Sequence, residues 1–472
     1  MSGAMISPIR PASRPMPGIP VPAADLFEII GEYIEASRLD RAERLLGHVL
    51  AAVPNQGDAL HLKGLIAARR KRPADAAELM EQAMAQGARK PAQLRNLSEV
   101  YRVLGRLDQA VTLARQSIAG DPADPLGPFN LAMIHYDRLE IEPCIAAAAH
   151  SVSLRHNLPQ SHMKLAQAYL LAGDLDRGWE EYEWRYQIPG AQALMPPTDR
   201  PQWDGRPMPD QRLLLIGDQG FGDVVMFMRY IPWALTLCPT ISIACSAEMQ
   251  PLIARTYPRV ETFTQWDKTP PYAAYCPLSG LPKRHGTRLD NIPNDGPYIT
   301  PEPDRLALWK DRLAERVPSG LKRIGIAWAG RPTHNNDYNR SVALTAFSPL
   351  AAIPGLAFVS LQKGDGTSQI KNWTGPAPLI DFAAQLETFD DTMAIISQLD
   401  LLVTVDTAIG HFAGAMGIPA WIMLPYAPDW RWLMNRSDTP WYDSLRLFRP
   451  PAIRRWDVLF DEVTRELKTR FQ

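Results

Sequence analysis

The chain is short of what staples a protein, anchors it or draws it to a polyanion. Four cysteines in 472 residues, Cys144, Cys238, Cys245 and Cys276, are too few and too irregular for a disulfide framework or a zinc knuckle. They read as buried thiols of a reducing compartment, and the expected location is cytoplasmic. There is no basic surplus: 50 Lys and Arg face 51 Asp and Glu, a net charge of -1. That balance argues against a chain held on a nucleic-acid polymer by phosphate neutralisation. The longest nearly apolar run, Met416 to Pro428, is too short to cross a bilayer, so no transmembrane segment is expected. Residues 1–24 carry Arg10 and Arg14 but also six prolines, and no apolar core follows to make a secretory signal.

What is abundant divides the chain. Proline is high at 44 and clusters, first in the segment before Ala23 and again between Pro189 and Pro209. These clusters read as a disordered leader (1–22) and an interdomain linker (189–211). The 13 tryptophans concentrate after residue 178, so the two halves are built differently. With 46% hydrophobic residues, each part has enough apolar side chain for a core.

A repeat fills residues 23–188. Ile30, Gly64, Ser98, Ala132 and Ala166 recur at one constant interval, and Ala42, Ala76, Ala110, Cys144 and Gly178 follow them at the same interval. Small residues recurring in register mark places where two helices approach closely. Pro54 and Pro122 end equivalent units, and Gly105 and Gly173 mark equivalent turns between paired helices. Five such units resemble the tetratricopeptide repeat, an α-solenoid. Asn96 and Asn130 fall at equivalent positions of the first helix in a pair. In the O-linked N-acetylglucosamine transferase, asparagines at that position hold a peptide backbone. The resemblance implies the same acceptor-binding role here, whereas Leu62 and Lys164 interrupt the ladder and leave an ordinary repeat surface as the alternative.

From Arg212 onward short apolar runs alternate with helical periods. Expected strands are Arg212–Ile216, Thr240–Cys245, Arg323–Trp328, Ala357–Leu361, Leu401–Val405 and Trp421–Leu424, with helices over Val224–Leu237 and Met249–Tyr257. Two strand-helix units follow, at 212–305 and 306–451, each a Rossmann-like domain with a cleft between them. A last helix at 452–472 is expected to return to the first of them.

Four segments can line that cleft. The loop Gly217-Asp-Gln-Gly-Phe-Gly-Asp223 has neither dinucleotide nor Walker spacing, and its aspartates would repel a pyrophosphate. Asp223 at a strand-loop-helix junction is therefore either a general base or a helix cap. The other three are Gly330–Ser341 with Arg331 and Arg340, Ser360–Gly364 with Gln362 and Lys363, and Thr404–His411. In the last, Thr407, Ala408 and His411 fall at a helix N-terminus, which offers free N–H groups to an anion. Together Arg340, Lys363 and His411 read as a diphosphate site. His411 either donates to a leaving phosphate or braces the helix from within the core.

Leu215–Tyr230, Ile324–Ser341 and Asp400–Pro419 resemble the signature regions of family 9 glycosyltransferases, the heptosyltransferases. The bacterial subgroup with tetratricopeptide repeats ahead of that module also resembles Glu180–Arg185, Asp429-Trp-Arg-Trp432 and Pro440-Trp-Tyr442. The layout is similar to that of the O-linked N-acetylglucosamine transferase and of flagellin glycosyltransferases.

The resemblance implies a GT-B fold of two Rossmann-like domains, with acceptor on the first and nucleotide sugar mainly on the second. It implies Asp223 as base and Gln219, Gly220 and Gly222 near the acceptor. Donor binding falls to Arg340, Gln362, Lys363, Asp406, Thr407, Ala408, Gly410 and His411. Ala408 stands where the family has glycine, so the loop geometry there is not carried over. The expected activity is inverting transfer of a sugar to a hydroxyl of a protein acceptor recruited by the repeats. A lipopolysaccharide or other surface-glycan acceptor and a catalytically silent scaffold are the alternatives. No cofactor or metal is expected, because the Asp174-Leu-Asp176 triplet lies in a repeat turn. A chain starting near Gln211 is expected to keep donor binding.

Overall fold

A computed structural model describes residues 23–190, 195–334 and 336–472; the Pro-rich leader, 1–22, lies outside the described residues. Five helical pairs come first: α1 (Ala23–Glu35) and α2 (Leu39–Ala52), α3 (Gly57–Arg69) and α4 (Pro73–Ala85), α5 (Pro91–Leu104) and α6 (Leu107–Gly120), α7 (Leu126–Asp137) and α8 (Ile141–Leu154), α9 (Pro159–Ala172) and α10 (Leu175–Tyr182). They fit a tetratricopeptide-like repeat.

The period is visible in packing and in backbone. Ile30, Ser98, Ala132 and Ala166 are fully buried, as are Ala42, Ala76, Ala110 and Cys144. Ser98 Oγ donates to Ala110 O at 3.0 Å, joining the two small positions directly. A Cβ at Gly178 would run into the Leu170 side chain, so the close approach of α9 and α10 requires glycine. Ser37, Lys71, Gly105, Leu139 and Gly173 all have positive φ, from 56° to 88°. They keep the same interval and close the first helix of each pair with a left-handed turn. All four cysteines are buried and unpaired.

Residues up to Asn130 form one compact unit and Leu131–Gln472 another. The second unit contains the last helices of the repeat and two parallel sheets. Strands β1 (Arg212–Ile216), β2 (Thr240–Ala244), β3 (Glu261–Phe263) and β4 (Ala274–Pro277) pair in the order β3-β2-β1-β4. Strands β5 (Lys322–Ala327), β6 (Leu356–Ser360), β7 (Leu379–Asp381), β8 (Leu401–Val405), β9 (Ala420–Met423) and β10 (Leu445–Phe448) pair as β10-β9-β8-β5-β6-β7. Counted from its own first strand, the second sheet has the doubly wound order 3-2-1-4-5-6, and the first sheet is its four-strand beginning. Both faces are covered: Leu213 and Leu215 enter one core while Leu214 and Ile216 enter another.

The first sheet carries α11 (Phe221–Met228), α12 (Ile231–Leu237), α13 (Gln250–Thr256) and α14 (Leu281–His285). The second carries α15 (Pro303–Arg316), α16 (Asp337–Arg340), α17 (Ser348–Ala351), α18 (Phe389–Ile396), α19 (Ala408–Ala415) and α20 (Trp456–Phe471). The single helix expected over Val224–Leu237 starts earlier, at Phe221, and breaks before Pro232, whose ring removes a backbone donor.

Two expectations about connections are corrected. The described part of the 189–211 linker is not a spacer. Trp203 is buried, its backbone N–H donates to Tyr275 O at 2.7 Å, and Gln202 bridges Tyr275 as an added sheet edge. Nor does α20 return to the first α/β domain. Leu459, Phe460, Val463 and Leu467 bury against Phe347, Trp421 and Phe448 of the second, because the helix's apolar stripe matches that face. The segment that crosses between sheets is the connection from β9 to β10. Arg229, at the end of α11, donates to Trp441 O at 2.7 Å, and Asn294 donates to Asp443 at 2.8 Å.

Candidate functional site

In doubly wound sheets ligands bind beyond the carboxyl ends of the strands, where the strand order reverses. Those points lie between β1 and β4 in one sheet and between β5 and β8 in the other. The chain brings them together by touching two helix N-termini. A Cβ at Gly222 of α11 would be 2.8 Å from His411 Cδ2 and 3.2 Å from Ala408 Cα of α19. The loops before α11 and α19 therefore face one crevice.

A compact set of charges occupies it. Asp223, in the first turn of α11, accepts from Gly220 N–H at 3.2 Å and takes an ion pair from Arg431 Nη2 on its other oxygen. Arg431 is buried, donates through Nη1 to Asp429 at 2.6 Å, and lies over the Trp430 ring at 4.4 Å. Among the described residues its Nε–H finds no hydrogen-bond acceptor, and neither does Arg340 Nε. Gln219 joins the set: it donates to Tyr182 Oη at 3.0 Å and stands 3.5 Å from Arg431 Nη2.

The titration preferences follow from burial and from these neighbours. Burial raises the Asp223 carboxyl above its ordinary value, with Arg431 pulling the other way. Burial and then Asp429 push Asp406 up to about 6, against Arg340. Asp429 is held low by Arg431 although burial opposes it. Burial also works against the Arg431 guanidinium, but Asp223 and Asp429 keep it charged. The crevice thus gathers a carboxyl raised to about 6, a carboxylate held ionised and two guanidiniums whose Nε–H groups no described residue accepts. Such a site suits proton transfer beside an anionic leaving group.

The structure places the expected residues unevenly. Asp223 reaches the crevice, and it also caps its helix through Gly220, so both alternatives are realised in one side chain. Arg340 sits over Gly330, whose Cβ would come 2.7 Å from Arg340 Nη2, with Asp337 at 3.7 Å from Nε. Thr407 is the N-cap residue of α19, and Ala408 opens that helix at the crossing with Gly222.

Other assignments are corrected. His411 is not a cation: burial first, then Arg431, lowers it to about 3, and its Nδ1 meets Tyr442 Oη at 3.0 Å. It is the core brace. The exposed Lys363 donates to Leu386 O, just ahead of α18. Gln362 is buried and its amide is fully used: Trp328 and Ala329 N–H donate to it at 3.1 and 2.9 Å, and it donates to the Ala329 and Lys363 carbonyls at 3.0 Å. Gly410 gives room to Ile422 at 2.8 Å, and Gly222 gives room to the crossing of α11 and α19. In the first unit, Asn96 Nδ2 binds His61 Nε2 at 3.1 Å and Asn130 Nδ2 donates to Arg95 O at 3.3 Å. One amide hydrogen of each asparagine thus reaches the preceding repeat, a contact that does not exclude the acceptor role expected of them. Asp218, whose charge counted against a pyrophosphate in this loop, accepts from Ser279 N–H at 3.2 Å and lies 3.9 Å from Arg185.

Arg431 and Asp429 are the residues that reasoning from the sequence left without a role. Their signal is an acid and a base two apart and flanked by Trp430 and Trp432, in a segment otherwise apolar. Tyr182, in the aromatic and charged segment Glu180–Arg185, carries the same kind of signal. Among the described residues no cluster of three or more His, Cys, Asp or Glu side chains is arranged to hold a metal, and no helix is long and apolar enough to cross a membrane.

No known family profile matches the chain. Protein FlbA of Caulobacter vibrioides (strain ATCC 19089 / CIP 103742 / CB 15) is similar, 25% identical over 460 residues, covering 90% of this chain and 75% of FlbA. Three solved structures are similar over about a third of the chain. The Thermus thermophilus TPR protein TTC0263 is 19% identical, covers 35% of this chain and 91% of its own, with a TM-score of 0.32. YrrB, described as a TPR protein with an unusual peptide-binding site, is 13% identical over 36% of this chain and 87% of its own, at 0.30. Pseudomonas aeruginosa PilF is 17% identical over 36% and 79%, at 0.33.

Proposed function

We propose that the chain is an inverting glycosyltransferase of GT-B architecture that uses a nucleotide-sugar donor and a protein acceptor recruited by the repeats. The observation that carries this reading is the meeting of two doubly wound switch points in one crevice. A carboxylate stands on the first wall, and a guanidinium and a helix N-terminus stand on the second. In this reading the diphosphate lies on the second sheet, against Arg340 and the N–H groups that open α19. An acceptor hydroxyl attacks the anomeric carbon from the opposite face, Asp223 takes its proton, and the nucleoside diphosphate leaves with its charge held by Arg340. Lys363 and His411 have no part in it. Turnover needs no metal and survives EDTA. Flagellin is the candidate acceptor by resemblance alone.

One observation favours a second reading. Arg431 already satisfies Asp223 and Asp429, and such a closed set of charges also suits a silent module on a repeat scaffold. A panel of nucleotide sugars separates the two. A true donor at a hundredfold excess over its Kd stabilises the chain by about 2.7 kcal/mol in a thermal melt. Asp223→Asn should then keep donor binding and lose about 10²–10⁴-fold in transfer or donor hydrolysis. No stabilisation by any donor would remove the enzyme reading, and full turnover by the variant would remove Asp223 from the mechanism.

A further inference from the structure

Asp223 is held by a chain of contacts that begins in the last repeat. Trp179 and Tyr182 of α10 meet the Trp430 ring edge-on, with centroids 5.3 and 5.8 Å away. Trp430 carries the Arg431 guanidinium on its face, and Asp429 grips Arg431 from the side away from Asp223. A guanidinium has two donor edges and can bridge two carboxylates, which an ammonium cannot do with the same geometry.

We propose that Arg431 is the positioning residue for Asp223, keeping its carboxylate ionised and aimed into the crevice while Asp429 and the Trp430 face hold Arg431 itself in place. This rests on the glycosyl-transfer reading for its purpose but not for its test. The groups that face Asp223 are Arg431 and Asp429 from the turn after β9, His334 from the loop after β5, Tyr182 from α10, and Gly220 N–H and Gln219 from its own loop. Burial favours the protonated acid and Arg431 opposes it. Without Arg431 the carboxyl should hold its proton to higher pH, by about one to three units for a charge in direct contact. Asp429 is a like charge that favours the proton on Asp223. Its neutralisation should therefore move the midpoint the other way.

The test is carboxyl-carbon NMR of the full chain labelled at aspartate, with the Asp223 signal identified by its loss in Asp223→Asn. Arg431→Met should move the Asp223 midpoint up, Asp429→Asn should move it down, and Arg431→Lys should fall between Arg431→Met and the parent. Lys keeps the charge but bridges one carboxylate, so it serves if Arg431→Met does not fold. Where a donor reacts, the acid limb of the rate profile should follow the same order, with kcat falling and KM for donor unchanged. An unmoved midpoint in Arg431→Met or Arg431→Lys, or a shift of the opposite sign, overturns the proposal. Shifts as expected with no donor turned over would support Arg431's hold on Asp223 and sink the transferase reading instead.

Discussion

The early and the late helix pairs keep one period and differ in what they pack against. In the first two pairs the core is local, with Ile30, Ala42, Leu46 and Ile66 closing on one another. In the last two, Ala132, Cys144, Ala166 and Trp179 belong to a core that continues into β1, α11 and α19. One repeat position shows how this arises, occupied in turn by Glu43, Ala77, Val111, Ile145 and Trp179. After the charge at Glu43 the side chain grows from a methyl to an indole, and Trp179 donates to Thr287 O at 3.0 Å and packs edge-on to Trp430. Period sets the path of the backbone, whereas volume and polarity at single positions decide what the helix pair carries. The last pair is thereby a wall of the α/β unit as well as a repeat.

Truncation is the harshest way to break this comparison. A chain beginning at Gln211 loses Trp179, Tyr182 and Arg185, whose Nε donates to Ser279 Oγ at 3.0 Å. Such a chain, expected from its sequence to keep donor binding, should show no cooperative melt. A chain beginning at Asp121 keeps every helix of the second unit and should unfold cooperatively, as read by circular dichroism. Equal behaviour of the two would mean that the last repeats are no more integral than the first.

Single substitutions sharpen the same contrast at lower cost. Trp179→Ala should destabilise the second unit by about 3–5 kcal/mol, because it opens a cavity beneath Trp430 and leaves the Thr287 carbonyl without its donor. Val111→Ala at the equivalent position removes two methyl groups from a buried site in the third pair and should cost about 1–2 kcal/mol. Denaturant unfolding of both variants would measure the difference. The smallest effect concerns the left-handed turn. Ser37 is exposed at φ 56° where Gly105 and Gly173 stand in later pairs. Ser37→Gly should raise the stability of the first unit by about 1 kcal/mol, visible as slower amide exchange in α1 and α2.

Some of this architecture was legible because it depends on local chemistry. The repeat could be read from small residues in register, since any helix pair this close requires them. Strands β1, β2, β5, β6, β8 and β9 could be read because each is rich in apolar, mostly buried residues, and each lies inside its sheet with a partner on both sides. The strands that escaped notice, β3, β4, β7 and β10, are the two edges of each sheet. They are short and have one partner strand each, so little apolar pattern is demanded of them.

The site divides along the same line. By itself the sequence determined that Asp223 stands where a helix opens after a buried strand, and that Thr407 and Ala408 do so after a strand of the second sheet, because caps and strand ends are written in neighbouring residues. Only the tertiary structure decided which charges meet. Asp223 and Arg431 are far apart in the chain, and His411 differs from a ligand-binding histidine only in being buried beside Tyr442. Lys363 is a cation at a strand end like many others until its ammonium finds the Leu386 carbonyl. Burial and partner identity set the protonation of each group, and both belong to the packed chain, because a residue's local sequence does not encode what lies across a crevice.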